Sequence, residues 1–308
     1  MIERTPGWRP TIMLLIALPF CVSGCAGSVL DPMGPVGAGE RVILLDSLAI
    51  MLAIVIPTIV LTLFFAWKFR ATNTRAHYRP DWSYSGRLEL LVWSIPTLVV
   101  LFLGGIAWVG SHDLDPAKPL PTTIKPLEVQ VVSFDWKWLF IYPELGVASV
   151  NRLVVPTSLP VHFRLTSTTV MNSFFVPQLG SQIYAMAGMA TQLNLQADKS
   201  GHYAGLSAQF SGAGFSDMRF AVDAMSQAEF DRWVAQTQGN GLVLNAAGYA
   251  DLAKESKAVP SYTYRAVAPG IFEAILNMQV PPEKLSYSDW PNTTGLACIQ
   301  GREENRLC

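Results

Sequence analysis

Two long apolar runs constrain this chain more than anything else in it. From Leu44 to Trp67 the only charged residue is Asp46, and a second run extends from about Leu88 to Val109 with Glu89 at its start. At about 1.5 Å of rise per residue, the first makes roughly 36 Å of helix, enough to cross a hydrocarbon core of about 30 Å. The connection between them carries Lys68, Arg70, Arg75, Arg79 and Arg87 against one acid, Asp81. Positive charge is retained in the cytoplasm, so the pattern predicts a two-helix hairpin with both flanks on the outer face of an inner membrane. Pro57 and Pro96 lie inside the spans. Proline is tolerated there where neighbouring helices re-satisfy freed backbone groups, which points to packing against other membrane protein.

The N-terminus reads as an export signal of the lipoprotein kind. Arg4 and Arg9 precede an apolar run from Ile12 to Cys21, and Val22-Ser23-Gly24-Cys25 follows. That order predicts cleavage before Cys25 and lipid on its sulfur. Leu30 to Glu40 is rich in proline and glycine and reads as an extended lead-in. Cys298 and Cys308 suit either a disulfide or two free thiols.

Beyond Gly110 the pattern changes to short β-rich runs: Leu127 to Trp138, Arg152 to Val155, Val161 to Thr166, Val170 to Val176, Thr191 to Ala197, Tyr203 to Gln209 and Arg219 to Val222. Short strands at such spacing argue a sandwich or barrel. Ser226 and Glu229 make a capping box for a helix whose apolar face is Phe230, Trp233 and Val234, ending at Gly239. Asn245 to Ser256 and Gly270 to Met278 read as two further short helices, and the tail from Gln279 to Cys308 has little periodicity. The expected class is therefore membrane α plus all-β. Its divisions are a signal peptide (1–24), a linker (25–43), span one (44–67), a cytoplasmic loop (68–87), span two (88–109), a β domain (110–224) and a C-terminal helical region with tail (225–308). A formal net charge of −1 leaves no basic footprint for nucleic acid.

The run Gly205 to Met218, Gly-Leu-Ser-Ala-Gln-Phe-Ser-Gly-Ala-Gly-Phe-Ser-Asp-Met, resembles a metal loop stripped of its ligands. In subunit 2 of the heme-copper oxidases that take electrons from cytochrome c, this loop reads Cys-x-x-x-Cys-x-x-x-His-x-x-Met. With a further histidine from upstream, it holds the dinuclear copper A centre. Here Ser207 and Ser211 stand at the cysteines, Phe215 at the histidine, Met218 at the methionine and Asn172 at the upstream histidine. Gln209 replaces a glutamate that in that family helps hold magnesium. Bridging coppers demands soft thiolate, and a serine hydroxyl is a hard, protonated donor. The same loss, within Met171-Asn172-Ser173-Phe174-Phe175 and Ser211-Gly212-Ala213-Gly214-Phe215-Ser216, is similar to subunit 2 of the cytochrome bo-type ubiquinol oxidases.

That resemblance implies a cupredoxin-like β domain and no cofactor in this chain, with heme and copper in a partner subunit 1. It also implies smaller membrane subunits, membrane lipid as a further contact, and no dealings with cytochrome c. It places Glu89, in Leu88-Glu89-x-x-x-Trp93-x-x-Pro96, at the cytoplasmic mouth of a proton channel of subunit 1; read from composition alone, Glu89 is an interfacial carboxylate at a helix N-terminus. Phe134, Trp136, Trp138, Phe140 and Tyr142 resemble the segment that receives electrons in copper-bearing relatives, though an aromatic run of this kind is ordinarily packing. Met171, Met186, Met189 and Met218 read as gap-filling, and the four histidines show no metal spacing. Two rival readings stay open: a cytochrome c oxidase subunit with degenerate electron entry, and a solitary tethered binding lipoprotein.

Overall fold

The computed structural model describes residues 29–77 and 81–280. The signal, Cys25, Cys298 and Cys308 lie outside these. The described chain divides into two units, a helical hairpin within 39–118 and a β-rich unit made of 29–38 and 119–280.

The hairpin is built from helix α1, Pro35–Lys68, and helix α2, Gly86–Asp113. Helix α1 starts inside the stretch read as an extended lead-in, because Pro35 lacks the N–H that a first helical turn leaves unused and its fixed φ already suits a helix. Within the spans, the Thr58 and Thr97 hydroxyls donate to the carbonyls of Ile54 and Trp93, close to the prolines that remove backbone donors. At the end where α1 begins and α2 ends, a methyl group on Gly110 would lie 2.5 Å from Ile43, so glycine lets the two helices approach.

The β unit holds strands β1 (Leu127–Phe134), β2 (Lys137–Tyr142), β3 (Val147–Val150), β4 (Arg152–Pro156), β5 (Val161–Ser167), β6 (Asn172–Phe175), β7 (Ile183–Ala185), β8 (Thr191–Leu195), β9 (Gly201–Ser207) and β10 (Arg219–Met225). After them come helix α3 (Gln227–Gly239), strand β11 (Leu242–Leu244), helix α4 (Ala246–Ala253), strand β12 (Tyr262–Val267) and helix α5 (Ile271–Leu276). One sheet runs β11-β12-β3-β2-β1-β5-β8 and the other β4-β10-β9-β6-β7. The expected order of membrane helices followed by an all-β domain is what the chain forms.

Period-two alternation explains how the larger sheet is buried on both faces. Val129, Val131, Trp138, Phe140 and Tyr142 point into the core shared with the second sheet, where they meet Phe174 and Phe220. The alternate residues Val132, Phe134, Leu139 and Ile141 point the other way, onto Leu244, Tyr249, Leu252, Ile271 and Phe272 of the C-terminal region. That region is more than helices: β11 and β12 extend the sheet, and α4 and α5 roof its outer face. Helix α3 opens with the expected capping box, Ser226 Oγ accepting from Glu229 N–H and Glu229 accepting from Ser226 N–H. Phe230, Trp233 and Val234 are its buried face.

The run Leu127 to Trp138, read as one strand, is two. Phe134 pairs with Lys137, and Asp135-Trp136 form the turn, with Trp136 at φ 69. A non-glycine residue in that region is uncommon. The surrounding aromatic and β-branched residues favour strand throughout, so propensity hides the turn.

Candidate functional site

Strands β9 and β10 pair antiparallel as far as Leu206 with Arg219, so residues 208–218 form the loop closing their ends. Ser207 N–H extends the ladder by donating to the Met218 carbonyl at 3.1 Å. Strand β6 lies on the other side of β9, with Phe174 opposite Ser207, and this brings Asn172 to the same end of the sheet. Of the positions singled out in the sequence, the fold therefore gathers Asn172, Ser207, Ser211 and Met218.

Each of these has a protein partner. Ser207 Oγ donates to Asn172 Oδ1 at 3.3 Å and is 3.3 Å from the Gln209 carbonyl. The Asn172 amide donates to Ser133 Oγ and to the Val170 carbonyl, both at 3.2 Å. Asn172, Ser133 and Ser207 are all buried, so this network satisfies polar groups that would otherwise be costly. Ser211 Oγ lies 3.9 Å from the Met218 sulfur, and Met218 is itself buried. Phe215 departs from the group: it opens a 3-10 turn, Phe215–Asp217, and packs edge-on against Phe210 at 5.6 Å.

Trp136 seats the loop. Its Nε1 donates to the Ser211 carbonyl at 3.1 Å. A Cβ on Gly214 would fall 2.3 Å from its ring, and one on Gly212, at φ 112, would fall 3.2 Å from it. Both glycines are required, one by contact alone and the other also by backbone conformation. Lys257 stands over the Trp136 ring at 5.2 Å. The other members of the aromatic run, Phe134, Trp138, Phe140 and Tyr142, are buried core.

Lys137 was not marked by the sequence. Its ammonium group is buried beside this turn, donating to the Lys254 carbonyl at 2.6 Å and to Ser256 Oγ. Burial pushes it down to about 8, with Asp135 opposing the shift. Strand position predicts a solvated lysine; the segment that covers it lies more than a hundred residues later, so no local signal reveals it. Burial likewise pushes the Tyr249 phenol up to about 12 and raises those of Tyr142 and Tyr264.

Among the described residues no three of His, Cys, Asp and Glu are arranged to hold a metal. Met171 and Met189 are exposed whereas Met218 is buried, so the methionines do not present one surface. Glu89 lies exposed in the first turn of α2, with its N–H donating to the Ser85 carbonyl at 3.0 Å. At the gathered positions the donors are hydroxyl, amide and one thioether, and Phe215 offers no lone pair. A copper pair bridged by thiolates does not fit this set.

The periplasmic-domain model of cytochrome c oxidase subunit II matches residues 144–225, and the COX aromatic rich motif matches 240–283. The chain is 48% identical over 263 residues to cytochrome bo(3) ubiquinol oxidase subunit 2 of Pseudomonas aeruginosa, covering 85% of this chain and 80% of that protein. It is 49% identical over 257 residues to ubiquinol oxidase subunit 2 of Acetobacter aceti, covering 83% of each. Among solved structures, the periplasmic domain of cytochrome oxidase subunit II (CoxB) of Bradyrhizobium japonicum aligns at 24% identity and TM-score 0.35, covering 37% of this chain and 96% of that one. The β unit carries the cupredoxin-like fold of the subunit II domain, and the chain belongs to the family of subunit 2 of the cytochrome bo(3) ubiquinol oxidases.

Proposed function

We propose that this chain is the membrane-anchored second subunit of a proton-pumping ubiquinol oxidase, and that it works there without a redox centre of its own. The observation that carries this reading is the donor set: Asn172, Ser207 and Ser211 hydrogen-bonded to protein partners, with Phe215 turned to Phe210. Electrons from a quinol dissolved in the bilayer enter the complex within the membrane, so an external copper relay is dispensable. Heme and copper belong to subunit 1, with smaller membrane subunits completing the assembly. This chain supplies the hairpin and the external β domain as scaffold, non-catalytic in itself. Glu89 acts as a proton-collecting carboxylate for subunit 1, and lipid on Cys25 adds a third attachment to two spanning helices.

The test is purification of the full complex through a tag on this chain. The expected result is co-purification of a larger heme-bearing subunit with quinol-driven oxygen uptake. Recovery of the chain alone, free of heme, overturns the reading in favour of a solitary binding protein.

A further inference from the structure

The connection between α1 and α2 carries more cation than its own residues neutralise. Lys68, Arg70, Arg75 and Arg87 face the single acid Asp81, and among the described residues no ion pair holds any of the four. Such a run is by itself an ordinary solvated face, but here it is folded around a pocket. The Asn73 amide donates to the Lys68 carbonyl at the end of α1, and Asn73 Oδ1 accepts from Arg75 N–H at 3.2 Å. Successive turns follow, with Asn73 N–H on the Arg70 carbonyl at 2.9 Å and Ala76 N–H on that of Asn73 at 3.4 Å. Arg70 Nε is steadied by Thr72 Oγ1 at 3.0 Å.

The result is a pocket of about 620 Å3 lined by Phe69, Arg70, Asn73, His77 and Trp82. Its lining mixes two chemistries, with an arginine, a histidine and an asparagine beside two aromatic residues. Trp67, Trp82 and Tyr84, at the same end of the hairpin, are 65%, 61% and 72% exposed, as suits rings lying where headgroups meet hydrocarbon. At that depth the abundant anion is a phosphodiester, and a planar guanidinium matches it with two parallel donors. We propose that this pocket binds the headgroup of an acidic phospholipid. Arg70 takes the phosphodiester, Asn73 and His77 hydrogen-bond it, and Phe69 and Trp82 lie along the first acyl carbons. The inference takes α1 and α2 as membrane spans and is independent of how electrons enter the complex.

The experiment titrates the intact complex, in neutral detergent, with phosphatidylglycerol or phosphatidylcholine and counts bound lipid by native mass spectrometry. Wild type is expected to retain phosphatidylglycerol preferentially. Arg70→Gln is expected to weaken that retention about fivefold, the effect of one cation near an anionic surface. Arg70→Lys, which keeps the charge without the fork, should fall between, and carries the test if the glutamine variant does not assemble. Arg265→Gln, exposed on the β unit, should change nothing. Equal retention of the two lipids, or phosphatidylglycerol retention unchanged in the Arg70 variants, overturns the proposal. So does displacement of phosphatidylglycerol by millimolar inorganic phosphate, which would make the pocket a free-anion site.

Discussion

The two units of this chain place the same kinds of side chain on opposite sides of their surfaces. In the β unit Trp138, Phe140 and Leu139 are 0% exposed, whereas in the hairpin Trp93, Val100 and Leu101 are 70%, 69% and 66% exposed. The first arrangement is driven by water, which makes each buried apolar Å2 worth about 25 cal/mol. The second suits a solvent as apolar as leucine itself, where helices associate through close packing rather than hydrophobic burial. Exposure of apolar surface thus reports which solvent each unit was built for, and the buried polar groups of Asn172, Ser207 and Lys137 stand out because only the β unit has an interior.

The contrast can be tested first at its two tryptophans. Trp138→Ala should destabilise the β unit by about 3–5 kcal/mol, while Trp93→Ala leaves its thermal unfolding within about 0.5 kcal/mol. Trp138 also buries an Nε1 that has no hydrogen-bond partner among the described residues. Trp138→Phe should therefore cost far less than Trp138→Ala, because it removes an orphan donor along with part of the ring. Equal costs for the two Trp138 variants would contradict the relief expected from removing an unpaired indole N–H. Val100→Arg sharpens the contrast from the other side. A charge at mid-span costs about 3 kcal/mol of insertion, so less chain should remain in membranes after alkaline extraction, whereas an arginine at exposed Ala204 of the β unit has no such effect.

Lys137 gives the next effect, and its sign follows from its depressed value. Between about pH 8 and the ordinary lysine value near 10.4, the unfolded chain holds a proton that the folded chain lacks, so stability rises with pH across this window. The rise is on the order of 3 kcal/mol and should vanish in Lys137→Met. Above about pH 10 the buried phenols of Tyr142, Tyr249 and Tyr264 reverse the slope, because unfolded tyrosines lose their protons first. Chemical unfolding followed from pH 7 to 11 resolves both limbs. Asn172→Ala, which removes the amide that donates to Ser133 Oγ and one of the two acceptors of Ser207 Oγ, should cost about 1–2 kcal/mol in the same assay. The smallest effect is kinetic: Glu89→Ala should slow turnover severalfold without impairing assembly, and wild-type turnover in that variant would leave Glu89 an ordinary interfacial carboxylate.

What was legible in the sequence followed from signals that are local or periodic. The hairpin was readable because nothing interrupts its apolar runs except Asp46 and Glu89, and the α3 capping box because its two residues lie three apart. The loop positions could be placed from spacing within Ser207 to Met218. The β1–β2 turn was not visible, since Asp135-Trp136 carries none of the glycine or asparagine that usually marks a positive φ. Strands β11 and β12 were missed because three and six residues hold too little alternation to register, and their place in the sheet is decided by β3, about a hundred residues earlier. Trp136 was read as packing, correctly, yet its particular task of seating Gly212 and Gly214 needed coordinates.

The most direct test of the central claim is oxygen uptake by the complex carrying this chain, driven in parallel by ubiquinol and by reduced cytochrome c. Uptake with ubiquinol and none with cytochrome c is the predicted result, leaving Ser207, Ser211 and Phe215 as a loop kept for its shape. Uptake with cytochrome c would contradict it, because electrons would then be entering from outside the membrane at a place where these residues provide no relay.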